Sequence, residues 1–182
     1  MLFFIPSYAI YYPLVNFLNL CDVHLILVLI SFLTDKHILI SMTAVGIIAA
    51  QLLWCIDFIS LTLGITFIDM TAYMYDEQLS IYLRFLSLFH GWFPFFLLYL
   101  INHIGYDKRA LYYQISLCLT LCLLSYNHIA LYNQNINFVK DFHILCHMIG
   151  FPLVIIATHH CLLRWDHSNK KKYINRMRLF KQ

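Results

Sequence analysis

Runs of about 20 apolar residues, separated by short polar segments, recur along most of the chain. An α-helix needs a run of this length to cross the hydrocarbon core of a bilayer. The pattern predicts an all-α, polytopic transmembrane helical bundle with about five spans and a basic tail. The predicted spans are 12–33, 38–62, 80–102, 110–131 and 142–163, and the tail is 164–182.

Composition agrees with this interpretation and excludes a sizeable soluble domain. The 182 residues are 62% hydrophobic and 12% charged, whereas soluble domains have about 25% charged residues. The chain is therefore predicted to be a single transmembrane domain whose function lies in its spans and short loops. The connection 63–79 between spans two and three includes a part, Ile65–Met74, that is apolar enough to dip into the membrane surface.

Lysine and arginine are distributed unevenly between the two predicted faces. Cytoplasmic loops of membrane proteins carry the excess of basic residues, and five spans with the tail inside leave only Lys140 outside, with Arg84 just within a span. This bias predicts an N-out/C-in protein of the bacterial cytoplasmic (inner) membrane. The tail can pair with anionic lipid headgroups. It adjoins a membrane exit and is short, so nucleic acid is not a predicted partner, and no protein partner is predicted. The inner basic residues are Lys36, Lys108, Arg109, Arg164, Lys170, Lys171, Lys172, Arg176, Arg178 and Lys181.

Four polar residues are predicted to gather in the outer half of the bundle. Ser87 and His90 lie about 60° apart on one helix, Arg84 precedes them, and Asp57 of span two lies at a similar depth. Polar groups at membrane depth cost free energy and are usually there for pairing or function. One hypothesis is a catalytic site in which Ser87 is the nucleophile, His90 the general base and Asp57 the group that orients the imidazole. Arg84 would then stabilise an oxyanion or a lipid phosphate.

The alternative interpretation of the same residues is structural. An intramembrane ion pair between Asp57 and Arg84, with Ser87 and His90 as interhelical hydrogen-bonding groups, would make the protein a non-catalytic subunit or scaffold. Whether the protein is an enzyme is left open. A third possibility, a small-solute transporter, needs a polar lining across the bundle, for which spans three to five offer only Gln114, Asn127 and His128.

The histidines do not predict a metal site or a cofactor. His143 and His147 have the i,i+4 spacing that suits zinc, but no HExxH glutamate accompanies them. The pairs His90/His103 and His147/His160 are each 13 residues apart, which places the members of a pair about 140° off a shared helix face. That spacing does not suit a haem between two helices.

The loop between spans three and four has the residues of a tight turn. Gly105 is expected to end span three, and Asp107 is expected to cap span four.

Several short strings stand out between roughly residues 18 and 160: Asn19–Asp22, Trp54–Phe58, Tyr73–Asp76, Arg84 with Ser87–His90 and Pro94, Gly105–Leu111, Asn135–Asn137 and Thr158–His159. Together they resemble a family of uncharacterised bacterial multi-pass membrane proteins. The resemblance implies a shared helical fold and a shared polar set that includes the four residues above, and it brings no established activity. A looser similarity to small multi-span lipid hydrolases and ether-lipid acyltransferases has no matching string. It suggests lipid-directed hydrolysis or acyl transfer as the chemistry if the protein is an enzyme.

Overall fold

The computed structural model describes the backbone of residues 18–132 and 138–179, and the side chains of residues 18–124 and 148–169. In these ranges the regular structure is entirely helical. The start of predicted span one and the predicted outer residues Asn133, Asn135 and Asn137 lie outside the described residues. The helices are α1 (Leu20–Thr34), α2 (Ile38–Thr62), a 3₁₀ turn (Ala72–Tyr75), α3 (Ile81–Ser87), α4 (Phe89–Ile104), α5 (Ala110–Tyr132) and α6 (Phe138–Leu179).

Within the part of the chain that the structure describes, three helical segments are long and apolar enough to cross a membrane: Ile38–Thr62, Ile81–Ile104 and Met148–Asn169. Two shorter apolar helical segments, Leu20–Thr34 and Ala110–Leu124, accompany them. The expectation of an all-helical membrane protein is therefore confirmed at this level, by the length and composition of the helices.

Helix α2 is the interior helix of the bundle. It contacts α1, α4, α5 and α6, and 61% of its most apolar window is buried, against 28% for Ile81–Ile104 and 17% for Met148–Asn169. Its bounds coincide with the predicted 38–62. Gly46 lets α1 and α5 approach the α2 backbone closely, since a Cβ atom there would collide with both His24 and Gln114.

The predicted third span is two helices rather than one. Helix α3 ends at Ser87, and α4 begins at Phe89. Pro94 lies inside α4 and has no N–H group to donate to the carbonyl of His90 one turn earlier. The Cys55 thiol of α2 donates to that carbonyl instead, at 3.5 Å, so the freed backbone group is used in packing α4 against α2.

The loop between α4 and α5 fastens the other end of the bundle. Gly105 ends α4 in the left-handed region, with φ 84°. The Asp107 carboxylate accepts the Arg109 backbone N–H and pairs with its guanidinium at 2.7 Å. The Asp107 backbone N–H donates to the hydroxyl of Ser41 in α2. The loop is thus tied both to the first residues of α5 and to α2.

Helix α6 is held to the same loop. The hydroxyl of Tyr106 is hydrogen-bonded to Nδ1 of His159 in α6 at 2.7 Å, and burial raises the pKa of Tyr106 well above its usual value, so the hydroxyl keeps its proton. Helix α6 continues to Leu179, past the predicted end of span five at 163. Lysine and arginine in the basic tail are good helix formers, so the change in polarity that ends an apolar span does not end the helix.

Candidate functional site

Asp57 is buried at the Thr62 end of the bundle, where the connection between α2 and α3 folds back onto it. Its exposed fraction is 1%. Oδ1 accepts the backbone N–H groups of Ile68 at 2.8 Å and Asp69 at 3.1 Å. Oδ2 accepts the backbone N–H of Thr71 at 2.9 Å and its hydroxyl at 2.8 Å. Four hydrogen bonds therefore fix residues 68–71 to one carboxylate, an arrangement called the Asp57 clamp below.

The connection takes a backbone conformation that presents these N–H groups together. Gly64 has φ 77° and Asp69 has φ 68°, and both values lie in the left-handed region, where glycine has no penalty and aspartate has a smaller one than most residues. The first reversal turns the chain back from the end of α2, and the second lies inside the clamped segment.

Trp54 links the connection to His90. Its indole Nε1 donates to the Tyr73 hydroxyl at 3.1 Å. The indole ring stacks on the imidazole of His90, with ring centroids 5.1 Å apart and an interplanar angle of 19°. It also stacks on the ring of Phe58, with a centroid distance of 5.2 Å. The imidazole therefore lies against an aromatic surface supplied by α2.

The ring of His90 has a defined tautomer. Nδ1 lies 2.7 Å from the backbone carbonyl of Ser87, and a carbonyl can only accept, so Nδ1 carries the proton. In the neutral ring Nε2 then has a free lone pair. No hydrogen bond joins Nε2 to another residue in the described part of the chain.

Ser87 is the last residue of α3, and its hydroxyl donates to the carbonyl of Leu83 at 3.2 Å. Serine hydroxyls often make this bond to the preceding turn of their own helix. The structure places Ser87 next to His90 through its backbone carbonyl rather than through its hydroxyl. The Asp57 carboxylate is bonded to residues 68–71 and not to the His90 ring, so the three residues of the predicted catalytic set are not joined as a triad.

The predicted ion pair between Asp57 and Arg84 is wrong. Among the described residues the ion pair is that of Arg109 and Asp107. The Asp57 carboxylate is bonded to residues 68–71 of the connection instead. Nη1 of Arg84 donates to the carbonyl of Met74 at 3.4 Å, whereas its Nε is buried without a hydrogen-bond partner. The physical reason is that the connection folds back onto Asp57 and brings N–H groups to both carboxylate oxygens, whereas the Arg84 guanidinium is directed to the Met74 carbonyl.

Two side chains that sequence reasoning did not assign to the site are central to it. Thr71 is fully buried and supplies two of the four bonds of the Asp57 clamp. Trp54 lies one helical turn before Asp57 and connects His90 to Tyr73. Trp54 and Asp57 are three residues apart, so their side chains are neighbours on the surface of α2. This spacing was the only feature of the sequence that connected Trp54 to the site. No residue near Thr71 in the sequence indicated that Thr71 belongs to it.

The described side chains contain no group of three or more His, Cys, Asp or Glu residues that could hold a metal ion. The side chains of His143 and His147 lie outside the described ones. His103 is exposed and bonds its own helix through the carbonyl of Tyr99.

A second polar group lies in the interior between α1, α2 and α5. Nε2 of His24 and the side-chain amide of Gln114 are hydrogen-bonded at 2.9 Å, and both side chains are fully buried. Nδ1 of His24 bonds to the carbonyl of Leu20 and so carries the proton. The Gln114 amide lies with Oε1 toward Nε2. A neutral ring accepts at Nε2, so the NH₂ group of Gln114 donates to it after the half turn that exchanges the two ends of the amide. This orientation also provides a partner for the amide nitrogen.

No protein-family model, curated protein or solved structure matches the chain.

Proposed function

We propose that the protein is a non-catalytic membrane subunit or scaffold, in which the polar residues at the Thr62 end of the bundle hold helices and connection together. The full proposal places the protein in the inner membrane of a bacterial cell. It has five spans, with the N-terminus outside and the C-terminus in the cytoplasm. It includes membership of the family of uncharacterised multi-pass proteins that the sequence strings resemble. It also includes anionic headgroups as ligands of the basic tail.

The observation that carries the proposal is the Asp57 clamp. A carboxylate that orients a catalytic imidazole must accept a hydrogen bond from that ring. Asp57 instead accepts four hydrogen bonds from residues 68–71, which is a structural use of a buried carboxylate. The Ser87 hydroxyl is likewise bonded within its own helix.

The test compares stability with reactivity in purified protein. We expect Asp57→Ala and Thr71→Ala to lower the unfolding temperature in detergent, and we expect the wild type not to react with a fluorophosphonate probe. Ser116→Ala is a matched control, because Ser116 is exposed on α5 and should leave the unfolding temperature unchanged. Specific labelling of the folded wild type that is lost in both Ser87→Ala and His90→Ala would contradict the proposal.

One observation favours a second candidate, an intramembrane lipid-directed hydrolase or acyltransferase. The His90 tautomer leaves Nε2 free as a general base one helical turn from Ser87, and hydrogen bonds of catalytic groups often form only when a substrate is bound. For this reaction the Ser87 hydroxyl would have to leave the Leu83 carbonyl and donate to Nε2. The fluorophosphonate experiment distinguishes the two candidates directly.

The proposed orientation of the C-terminus has its own test. A green fluorescent protein fused after Gln182 should fluoresce if the C-terminus is cytoplasmic, whereas an alkaline phosphatase fused there should be inactive. The reverse pattern would contradict the proposed orientation.

A further inference from the structure

We infer that the connection between α2 and α3 is a re-entrant segment whose apolar side chains contact lipid acyl chains in the leaflet at the Thr62 end of the bundle. This goes beyond the proposed function. It holds whether or not His90 and Ser87 react with a lipid, since it depends on the fold of the connection and on the position of α2 in the membrane.

The first argument is depth. Helix α2 has 25 residues and is about 37 Å long, so if centred it extends about 4 Å beyond each face of a hydrocarbon core of about 30 Å. Asp57 is five residues before the end of α2 and Trp54 is eight, which places them about 4 Å and about 8 Å inside the core. Residues 68–71 reach Asp57, and Tyr73 reaches Trp54. The connection therefore descends along α2 after leaving its end.

The second argument is how the polar groups of this segment are satisfied. Irregular backbone is tolerated at membrane depth only where its N–H and C=O groups find partners in the protein. A carboxylate at the same depth is also costly unless it is bonded. The Asp57 clamp meets the requirement for the carboxylate and for three of the backbone N–H groups, because the N–H groups of Ile68, Asp69 and Thr71 and the Thr71 hydroxyl share the one carboxylate.

The third argument is the surface that the connection exposes. Large apolar side chains point outward from it: Ile65 is 59% exposed, Phe67 60%, Ile68 46% and Met70 41%. In water a group of exposed large apolar side chains is costly. Near the same end of α2, Ile56 is 53% and Ile59 is 59% exposed. The connection and this end of a helix long enough to span the bilayer therefore both expose large apolar side chains.

Charged and polar side chains follow where the segment turns back toward α3. Asp76, Glu77 and Gln78 are exposed, and Asp76 accepts the Gln78 backbone N–H in a turn. These residues suit the headgroup layer. The occupant of the apolar surface is therefore lipid of the same leaflet, with polar residues returning the chain to water before Ile81.

The experiment uses single cysteines at three positions, each labelled with an environment-sensitive NBD fluorophore. Phe67→Cys, Ile56→Cys and Glu77→Cys are made in the full chain with its six native cysteines replaced by alanine. The proteins are reconstituted into phosphatidylcholine vesicles with and without brominated acyl chains. We expect the label at 67 to be blue-shifted and quenched by bromolipid to an extent comparable to the label at 56, and we expect the label at 77 to be unquenched.

The label at position 56 is the control. It reports whether α2 itself lies in the membrane, independently of where the connection lies. Quenching at 56 without quenching at 67 overturns the inference. A water-like spectrum at 67 then means that the connection lies outside the membrane, and a blue-shifted, unquenched one means that another protein surface covers it. If position 56 is also unquenched, the assignment of α2 as a span is wrong, and the inference is overturned with it.

Two further measurements are added. The first tests the role of the Asp57 clamp, and the second uses the protein with its native cysteines. Asp57→Asn replaces one acceptor oxygen by an amide nitrogen, so the bonds to Thr71 or to residues 68 and 69 are lost, and quenching at 67 should fall while quenching at 56 stays the same. Unchanged quenching at 67 overturns the role of the clamp. In the unmodified protein in lipid nanodiscs, hydroxyl-radical oxidation of Met70 should be slow relative to the denatured chain, and oxidation at the denatured rate overturns the inference.

Discussion

Gly46→Ala is expected to destabilise the protein, although alanine is the better helix former. A Cβ atom at position 46 would lie 2.6 Å from Cδ of Gln114 and 2.6 Å from Nε2 of His24, whereas non-bonded carbon atoms are separated by about 3.5–4.0 Å. Both neighbours are fully buried and bonded to each other. The methyl group can be accommodated only if this pair separates or if α1 and α5 move away from α2.

The magnitude follows from three terms. Overpacking a close-packed site costs about 1–3 kcal/mol, and breaking a buried hydrogen bond so that its partners are unsatisfied costs about 1–3 kcal/mol. Replacing glycine by alanine in a helix interior gains about 1 kcal/mol. The sum is a loss of about 3 kcal/mol of unfolding free energy, within a range of about 1–5 kcal/mol.

The assay is reversible unfolding in mixed detergent micelles, followed by tryptophan fluorescence. Gly150→Ala is the matched control: Gly150 is also helical, and nothing lies within 4 Å of a Cβ atom there, so that variant should be as stable as the wild type or more stable by about 1 kcal/mol. Gln114→Ala removes the group that collides with the new methyl, and combining it with Gly46→Ala should cost less than the sum of the two single changes. A Gly46→Ala protein as stable as the wild type, or strictly additive effects in the double variant, would refute the close approach of the three helices.

Three further changes have defined outcomes. Gln51→Met should raise the unfolding free energy by about 1–3 kcal/mol, because the Gln51 amide is fully buried and has no hydrogen-bond partner among the described residues; a lower melting temperature would mean that the amide is bonded. Thr71→Val should lower the melting temperature by removing one hydroxyl bond to the buried Asp57 carboxylate, and Thr71→Ser should restore most of it if the hydroxyl is what matters. Hydrogen bonding to Arg109 holds the pKa of Asp107 below its usual range, so this pair stabilises the folded state above the unfolded-state pKa of about 3.9. The stabilisation is lost as the pH falls through the lowered pKa. Asp107→Asn should therefore be less stable than the wild type at pH 7, with the difference vanishing in acid; a difference independent of pH would contradict the assignment.

The sequence by itself determined that the chain forms helices long and apolar enough to span a membrane, and it determined the location of the longest of these. Residues 38–62 are predominantly apolar and end before Gly64, so hydropathy and one helix breaker were enough to place α2. The turn at Gly105 and Asp107 followed from the residues' own conformational preferences and hydrogen-bonding groups. These properties are local, because they depend only on residues that are close together in the sequence. They can therefore be predicted from the sequence.

The tertiary structure alone decided which polar groups meet. Asp57 could face Arg84, His90 or the connection at the same depth, and the choice depends on two left-handed residues, Gly64 and Asp69, that turn the chain back onto α2. The close packing at Gly46 likewise depends on α5, whose contacting residue is far away in sequence. A hydrogen bond forms only between groups that lie within about 3 Å of each other. The pattern of residues along the chain does not predict which groups distant in sequence come this close.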